Sequence, residues 1–248
     1  MKPWLVAHRG GSALAPENTL AAIEKAVVLG VDAVEVDVLR SRDGHLMVHH
    51  DETLARTAGC PDFLWDLDAR DLGQLDVGSW FDLRFASARL PTLEEVAAVV
   101  PPHMQLLIDF KHGEERFPGL TQQVIQFARS FGAQRLAVLS IQHAFVLDIV
   151  RQMPEITGLC TFRTPPITDE QLRGFRDLPA GVGLGTHMRV LSPALLAVAR
   201  ETGRKVYLFT PNTRIELQVA LRVGADAVIT DEIELALALR RAGRDEEW

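Results

Sequence analysis

The alternating segment Ala33-Val34-Glu35-Val36-Asp37-Val38 sets two carboxylates on one face of an extended strand and the valines on the other. Buried parallel strands are normally apolar, and adjacent buried carboxylates are costly unless positive charge lies beside them. A divalent cation meets that demand. The run Leu106-Leu107-Ile108-Asp109-Phe110-Lys111 repeats the pattern, placing Asp109 and Lys111 on a common face at the carboxyl end of a second strand. Asp109 is a candidate third ligand, and three carboxylates with water or substrate oxygens suit a hard cation such as Mg2+ or Ca2+, with Mn2+ a further candidate. The competing reading is a buried pairing of Asp109 with an arginine or lysine and no metal. Val6-Ala7-His8-Arg9-Gly10-Gly11 ends another apolar run on an imidazole and a guanidinium, and the glycines permit close backbone approach or positive φ. His50-Asp51 closes a further short run. The chain has eight histidines, and one alone is more often structural than catalytic, so the company of acidic residues, Arg9 and Lys111 is what singles out His8 and His50.

Such residues need strands whose carboxyl ends converge. Apolar runs at 4–7, 33–39, 105–110, 136–141, 157–161, 182–185, 205–210 and 226–230 read as strands, and most are separated by segments with helix signals. Ser192-Pro193 opens one helix and Gly203 closes it, while Thr92 with Glu95, Thr168 with Gln171 and Asp231 with Glu234 have capping-box spacing. Eight βα units are the arithmetic of an α/β fold of the (β/α)8 TIM-barrel type, with active-site residues at the strand carboxyl ends. The run 46–50 follows 33–39 too closely for a parallel crossover and reads as the return arm of a hairpin on the second barrel strand. A single domain over 1–248 then carries a hairpin and small insertion at about 40–91, with Phe63, Trp65, Trp80, Phe81 and Phe85 mostly held in a satellite core. His187 and Arg189 read as a solvated loop, Asp231 as an N-cap, and Arg240 to Trp248 as a frayed helix end and tail.

Composition narrows the function classes. With 47% hydrophobic and 24% charged residues the chain is a globular protein rather than a disordered or fibrous one. A net charge of −7 argues against nucleic acid as a partner. Two cysteines, Cys60 and Cys160, point to reduced thiols and a cytoplasmic home. The start at Met1-Lys2-Pro3 lacks the apolar core of a signal peptide, and no stretch reaches the ~18 apolar residues of a membrane span.

With these residues in hand, the sequence resembles the glycerophosphodiester phosphodiesterase family, in its bacterial, cytosolic type. The resemblance rests on His8-Arg9-Gly10, Pro16-Glu17-Asn18-Thr19, Glu35-Val-Asp37-Val and Val48-His49-His50-Asp51 in that order, with Leu54-Ala-Arg56-Thr57, Asp109-Phe-Lys111 and Gly224-Ala-Asp226-Ala-Val-Ile-Thr-Asp231 further on. It spans essentially the whole chain. It implies a barrel enzyme that hydrolyses a small-molecule glycerophosphodiester to glycerol 3-phosphate and an alcohol. By position, His8 and His50 are the catalytic pair, Glu35, Asp37 and Asp109 the ligands of one divalent metal ion, and Arg9 and Lys111 the phosphate-binding residues. Asp109 stands where the family generally carries Glu, so its shorter side chain reaches a metal directly or through water. Phe209 stands where tryptophan is usual.

Three other readings compete: a lysophospholipase D acting on lipid glycerophosphodiesters, a Schiff-base aldolase built on Lys111, and a non-catalytic sugar-phosphate binder. The first lacks an apolar anchor or a basic amphipathic helix, and the second leaves Glu35, Asp37 and both histidines without a role.

Overall fold

The structure, a computed structural model, describes residues 2–163 and 167–245. The apolar runs pair as one sheet of nine strands: β1 (Trp4–Ala7), β2 (Ala33–Arg40), β3 (Leu46–Val48), β4 (Gln105–Phe110), β5 (Leu136–Ser140), β6 (Thr157–Phe162), β7 (Val182–His187), β8 (Val206–Phe209) and β9 (Ala227–Thr230). All but β3 run parallel, and pairing of β1 with both β9 and β2 closes eight strands into a barrel. The expected (β/α)8 TIM barrel is therefore present. The arm β3 turns back antiparallel on β2, with Val38 opposite Val48 and Arg40 opposite Leu46.

The helices are α1 (Leu20–Leu29), α2 (Ala55–Ala58), α3 (Ala69–Leu72), α4 (Leu93–Val99), α5 (Leu120–Phe131), α6 (His143–Gln152), α7 (Asp169–Arg176), α8 (Pro193–Thr202), α9 (Arg214–Arg222) and α10 (Ile233–Asp245). Apart from the short α2 and α3, each follows one barrel strand. Thr92 with Glu95 and Thr168 with Gln171 make the expected capping boxes, and Thr213 with Glu216, at the same spacing, makes another. Ser192 caps α8, which ends at Gly203 with φ 64°. Among the described residues, no helix is long and apolar enough to cross a membrane.

Side-chain alternation then separates two cores. Val34, Val36, Leu106 and Ile108 point out against the helices, while Val6, Leu107, Leu139, Leu159, Tyr207 and Ile229 fill the lumen. Each such burial stabilises by about 1.5–3 kcal/mol. With the lumen packed, the inward-facing residues at the strand carboxyl ends stand where barrel enzymes build their sites.

The insertion departs from expectation in its packing. It forms no separate satellite core: its aliphatic residues Leu54, Leu64, Leu72, Val77 and Leu90 are buried in the same cluster as the helix-facing side of the barrel. None of the five aromatics is buried: Phe63, Trp80 and Phe81 are exposed, and Trp65 and Phe85 are half-buried. Several serve as faces for cations instead, as when the Arg56 guanidinium lies 5.4 Å from the Trp80 ring centre. The carboxyl-terminal helix is also less frayed than expected. It runs to Asp245, and Arg240 is tied to the Asp32 carboxylate, a contact across 208 residues that local sequence could not announce. Residues 246–248 of the expected tail lie outside the described residues.

Candidate active site

The first strand delivers His8 and then breaks. Arg9, Gly10 and Gly11 all have positive φ (50°, 79° and 114°), a conformation natural for glycine and strained for arginine. That turn aims the Arg9 backbone N–H at Glu35 Oε2, 2.8 Å away, and carries its guanidinium to Glu17 Oε1 at 2.8 Å. The Arg9 Nε lies 3.5 Å from Asp37 Oδ2 but is buried without a hydrogen-bond partner. Asn18, also at positive φ (58°), clasps Asp37 from both sides: its Nδ2 donates to Asp37 Oδ2 at 2.9 Å and its Oδ1 accepts from the Asp37 N–H at 3.1 Å.

Register assembles the acidic centre. In the parallel pairing of β2 with β4, Asp37 lies beside Asp109, and the period of two brings Glu35 inward one step below Asp37. Ligand oxygens of Glu35, Asp37 and Asp109 all lie within 4.8 Å of one another, and all three residues are buried. Lys111 Nζ sits 2.6 Å from both Asp37 Oδ1 and Asp109 Oδ2, and Arg163 Nη2 donates to Asp109 Oδ2 at 2.9 Å. The sequence offered metal ligation or cationic pairing for Asp109, and its carboxylate is engaged by two cations.

Glu35 is different. Among the described residues it has no lysine or arginine ion pair, and burial together with the charge of Asp37 raises its carboxyl to about 7. Burial works against the charge of Asp37 too, but Lys111 and Arg9 hold that carboxyl well below the usual range. Burial likewise opposes the charge on Lys111, and Asp37 and Asp109 outweigh it, so the ammonium is more basic than usual. Buried oxygen donors with one carboxylate left without a cation are a set that fits Mg2+ or Ca2+.

The hairpin brings the second histidine. The His49 N–H donates to the Asp37 carbonyl at 2.9 Å, extending the arm by one residue and bringing His50 in just beyond it. His50 Nδ1 bonds Asp51 Oδ1 at 2.6 Å, and Arg56 Nε donates to the other Asp51 oxygen at 2.6 Å. Arg56 also reaches Glu17, whose carboxylate thus ties the insertion to the Arg9 turn. Burial lowers the basicity of His50 against the opposing pull of Asp37, with Lys111 and Arg9 reinforcing it. For His8 burial acts in the same sense, but its bond to Asp231 and the field of Glu35 win, and its ring is more basic than usual.

All seven residues singled out by sequence, His8, Arg9, Glu35, Asp37, His50, Asp109 and Lys111, line one cavity of about 170 Å³ at the carboxyl end of the barrel. The glycerophosphoryl diester phosphodiesterase family matches residues 8–235 of the sequence. The chain belongs to this family. It is 30% identical over 249 residues to a glycerophosphodiester phosphodiesterase of Caldanaerobacter subterraneus subsp. tengcongensis, covering 98% of this chain and all of that one. Among solved structures, an Oleispira antarctica phosphodiesterase in complex with the product sn-glycerol-3-phosphate superposes with a TM-score of 0.82 at 28% identity, covering 97% of each chain. A glycerophosphodiester phosphodiesterase of Thermotoga maritima gives 0.73 at 26% identity, covering 96% of this chain and 98% of that one.

Three residues of this phosphodiesterase-family site differ from the sequence reading. Asp231 is no N-cap: α10 begins at Ile233, and the Asp231 carboxylate instead takes His8 Nδ1 at 2.6 Å together with the Ser12 hydroxyl and the Asn212 amide. His187 is no solvated loop residue but the end of β7, lining the cavity with its ring edge-on to Phe209. Arg163, which sequence reasoning passed over, lines the cavity too. A signal for it existed. The period of two that found Glu35 and Asp37 runs from Leu159 through Thr161 to Arg163, and from Ala227 through Ile229 to Asp231.

Proposed function

We propose that this chain hydrolyses glycerophosphodiesters to glycerol 3-phosphate and an alcohol, with one divalent cation held by Glu35, Asp37 and Asp109 and with His8 and His50 as the proton-transfer pair. The observation that carries the reading is the shared cavity: two histidines, three carboxylates and three cationic side chains, Arg9, Lys111 and Arg163, on one wall system. When bound, the cation supplies Lewis-acid polarisation of the phosphoryl oxygens.

The chain's own residues account for the rest. Counted as fully ionised, the three carboxylates match the three cationic side chains, so the loaded pocket carries an excess of positive charge suited to an anionic diester. Arg9 and Lys111 line the cavity with cationic groups of the kind that bind a phosphoryl oxygen. One histidine takes the proton of the attacking oxygen, either a water or the neighbouring glycerol hydroxyl, whose attack gives a cyclic phosphate that water then opens, and the other gives a proton to the departing alcohol, each worth about 10²- to 10⁴-fold in rate. A cavity of about 170 Å³ suits a three-carbon phosphate.

The rival readings fare less well. A Schiff-base lysine needs a depressed pKa, and the carboxylates around Lys111 raise it. A passive binder gives no purpose to two histidines each backed by a carboxylate. No observation favours lipid substrates over small ones. Both cysteines are free, in keeping with the cytoplasmic location that is part of this proposal.

The test is an assay of glycerol 3-phosphate release from a panel of glycerophosphodiesters with Mg2+, Ca2+, Mn2+ or chelator. Release that stops on chelation and returns with a divalent cation is expected. An undiminished rate after exhaustive chelation, or no release from any diester, overturns the proposal.

A further inference from the structure

We propose that Asp231 is a positioning residue for His8, holding the neutral imidazole with its proton on Nδ1 and so presenting Nε2 to the reacting diester. This rests on the reading of His8 as a proton-transfer group. The two residues are 223 positions apart and meet at the seam where β9 closes on β1. There Ala7 pairs with Thr230, so the next residue on each strand, His8 and Asp231, come side by side.

A carboxylate accepts hydrogen bonds and has none to give, so the 2.6 Å contact from His8 Nδ1 to Asp231 Oδ1 requires the proton on Nδ1. In the neutral ring, Nε2 is then the unprotonated nitrogen, and in the imidazolium it carries the second proton. Asp231 is itself held from two further sides. The Ser12 hydroxyl donates to Oδ1 and the Asn212 amide to Oδ2. The Asn212 Oδ1 in turn accepts from the Asp231 N–H and from Thr230 Oγ1, each at 3.0 Å. The amide therefore grips both the side chain and the backbone of Asp231 and leaves the carboxylate a single orientation.

The two histidine–carboxylate pairs are unequal. Asp51 shares its charge between His50 and the Arg56 guanidinium, whose Nε lies 2.6 Å from Oδ2. The partners of Asp231 other than His8 are a hydroxyl and an amide, both neutral. An imidazolium formed at His8 thus faces a carboxylate whose charge no arginine among the described residues divides, the arrangement that fixes tautomer and supports a transient positive ring in histidine-based catalysis. A helix-capping role would give Asp231 no reason to reach across the barrel seam.

Ring-nitrogen NMR of the full chain labelled with 15N-histidine, with and without Mg2+ and at a pH where the His8 ring is neutral, reads the tautomer directly. Wild-type protein is expected to carry the His8 proton on Nδ1. In Asp231→Asn that preference is expected to vanish, and kcat for glycerol 3-phosphate release to fall by about 10²- to 10⁴-fold with KM changed by less than about threefold. An Asp231→Asn protein that keeps the tautomer, or keeps wild-type kcat, overturns the proposal. Should that variant not fold, Ser12→Ala and Asn212→Ala, which leave the carboxylate but free it to rotate, decide the matter. A fall in kcat at steady KM supports the positioning role, and wild-type kcat in both sinks it. His8→Ala with full activity would remove the catalytic reading of His8 itself, an outcome separate from any change of tautomer in Asp231→Asn.

Discussion

The Lys111 ammonium lies 2.6 Å from the Asp37 carboxylate, and the two side chains are only 14% and 1% exposed. A buried carboxylate stripped of its cation is strongly destabilising, by about 3–5 kcal/mol. Lys111→Met is therefore expected to lower the melting temperature of the metal-free protein well below wild type. The variant should also gain more than wild type from added Mg2+ or Ca2+, because the cation replaces the missing charge. Thermal melts of both proteins with and without divalent cation check this, and equal shifts would refute it.

Glu35 gives a pH dependence whose sign follows from its environment. Burial and the charge of Asp37 raise its carboxyl from 4.5 to about 7 in the folded, metal-free protein. Between those values the folded state holds a proton that the unfolded state has lost, so stability falls as pH rises through that window. Cation binding must expel the same proton below about pH 7 and need not above it. Calorimetric titration with Mg2+ in two buffers of different ionisation enthalpy measures the proton released. A pH-independent proton count would contradict the assignment of Glu35 as a ligand.

His8→Ala and His50→Ala should each lower kcat by about 10²- to 10⁴-fold while leaving KM nearly unchanged, since each removes one proton transfer rather than a binding contact. Steady-state assays on one diester suffice, and either variant working at the wild-type rate would remove that residue from the pair.

Arg163 bonds Asp109 with one nitrogen and is otherwise half open to the cavity, with 43% of its side chain exposed. Its loss should weaken ligand binding rather than slow the chemistry: Arg163→Gln is expected to raise KM about tenfold, the worth of one hydrogen bond to a charged group, with little change in kcat. Product inhibition by glycerol 3-phosphate should weaken in parallel. A large fall in kcat at constant KM would place Arg163 elsewhere in the mechanism.

The sequence made the barrel legible because a buried strand must advertise itself. The run at 33–39 became Ala33–Arg40, and that at 182–185 fell short of Val182–His187 by two residues. Those two residues mattered, because the last inward position of β7 is His187 in the cavity wall. The acidic centre was legible for a related reason: charges inside an apolar strand stand out. Asp231 and Arg163 were not read as site residues, because each lies just past a strand end with no charge before it on the same face of the strand, as Asp109 stands before Lys111. Their meaning comes from partners 223 and 54 residues away. The capping-box spacing of Asp231 with Glu234 was a local pattern, and the bonds to His8, Ser12 and Asn212 override it.

Among the described strands the arm β3 pairs only with β2, with one further bridge from Met47 to Thr92, and takes no part in closing the barrel. His8, the acidic centre, Lys111 and Arg163 all stand on the closed ring, whereas His50 arrives on the appendage. On the proposed roles, the ring by itself holds the cation- and anion-binding residues and one member of the proton-transfer pair. With His8 and His50 as the proposed proton-transfer pair, the insertion at residues 40–91 supplies the second member of that pair, and the Glu17 carboxylate between Arg9 and Arg56 is one of the ties that hold it against the ring.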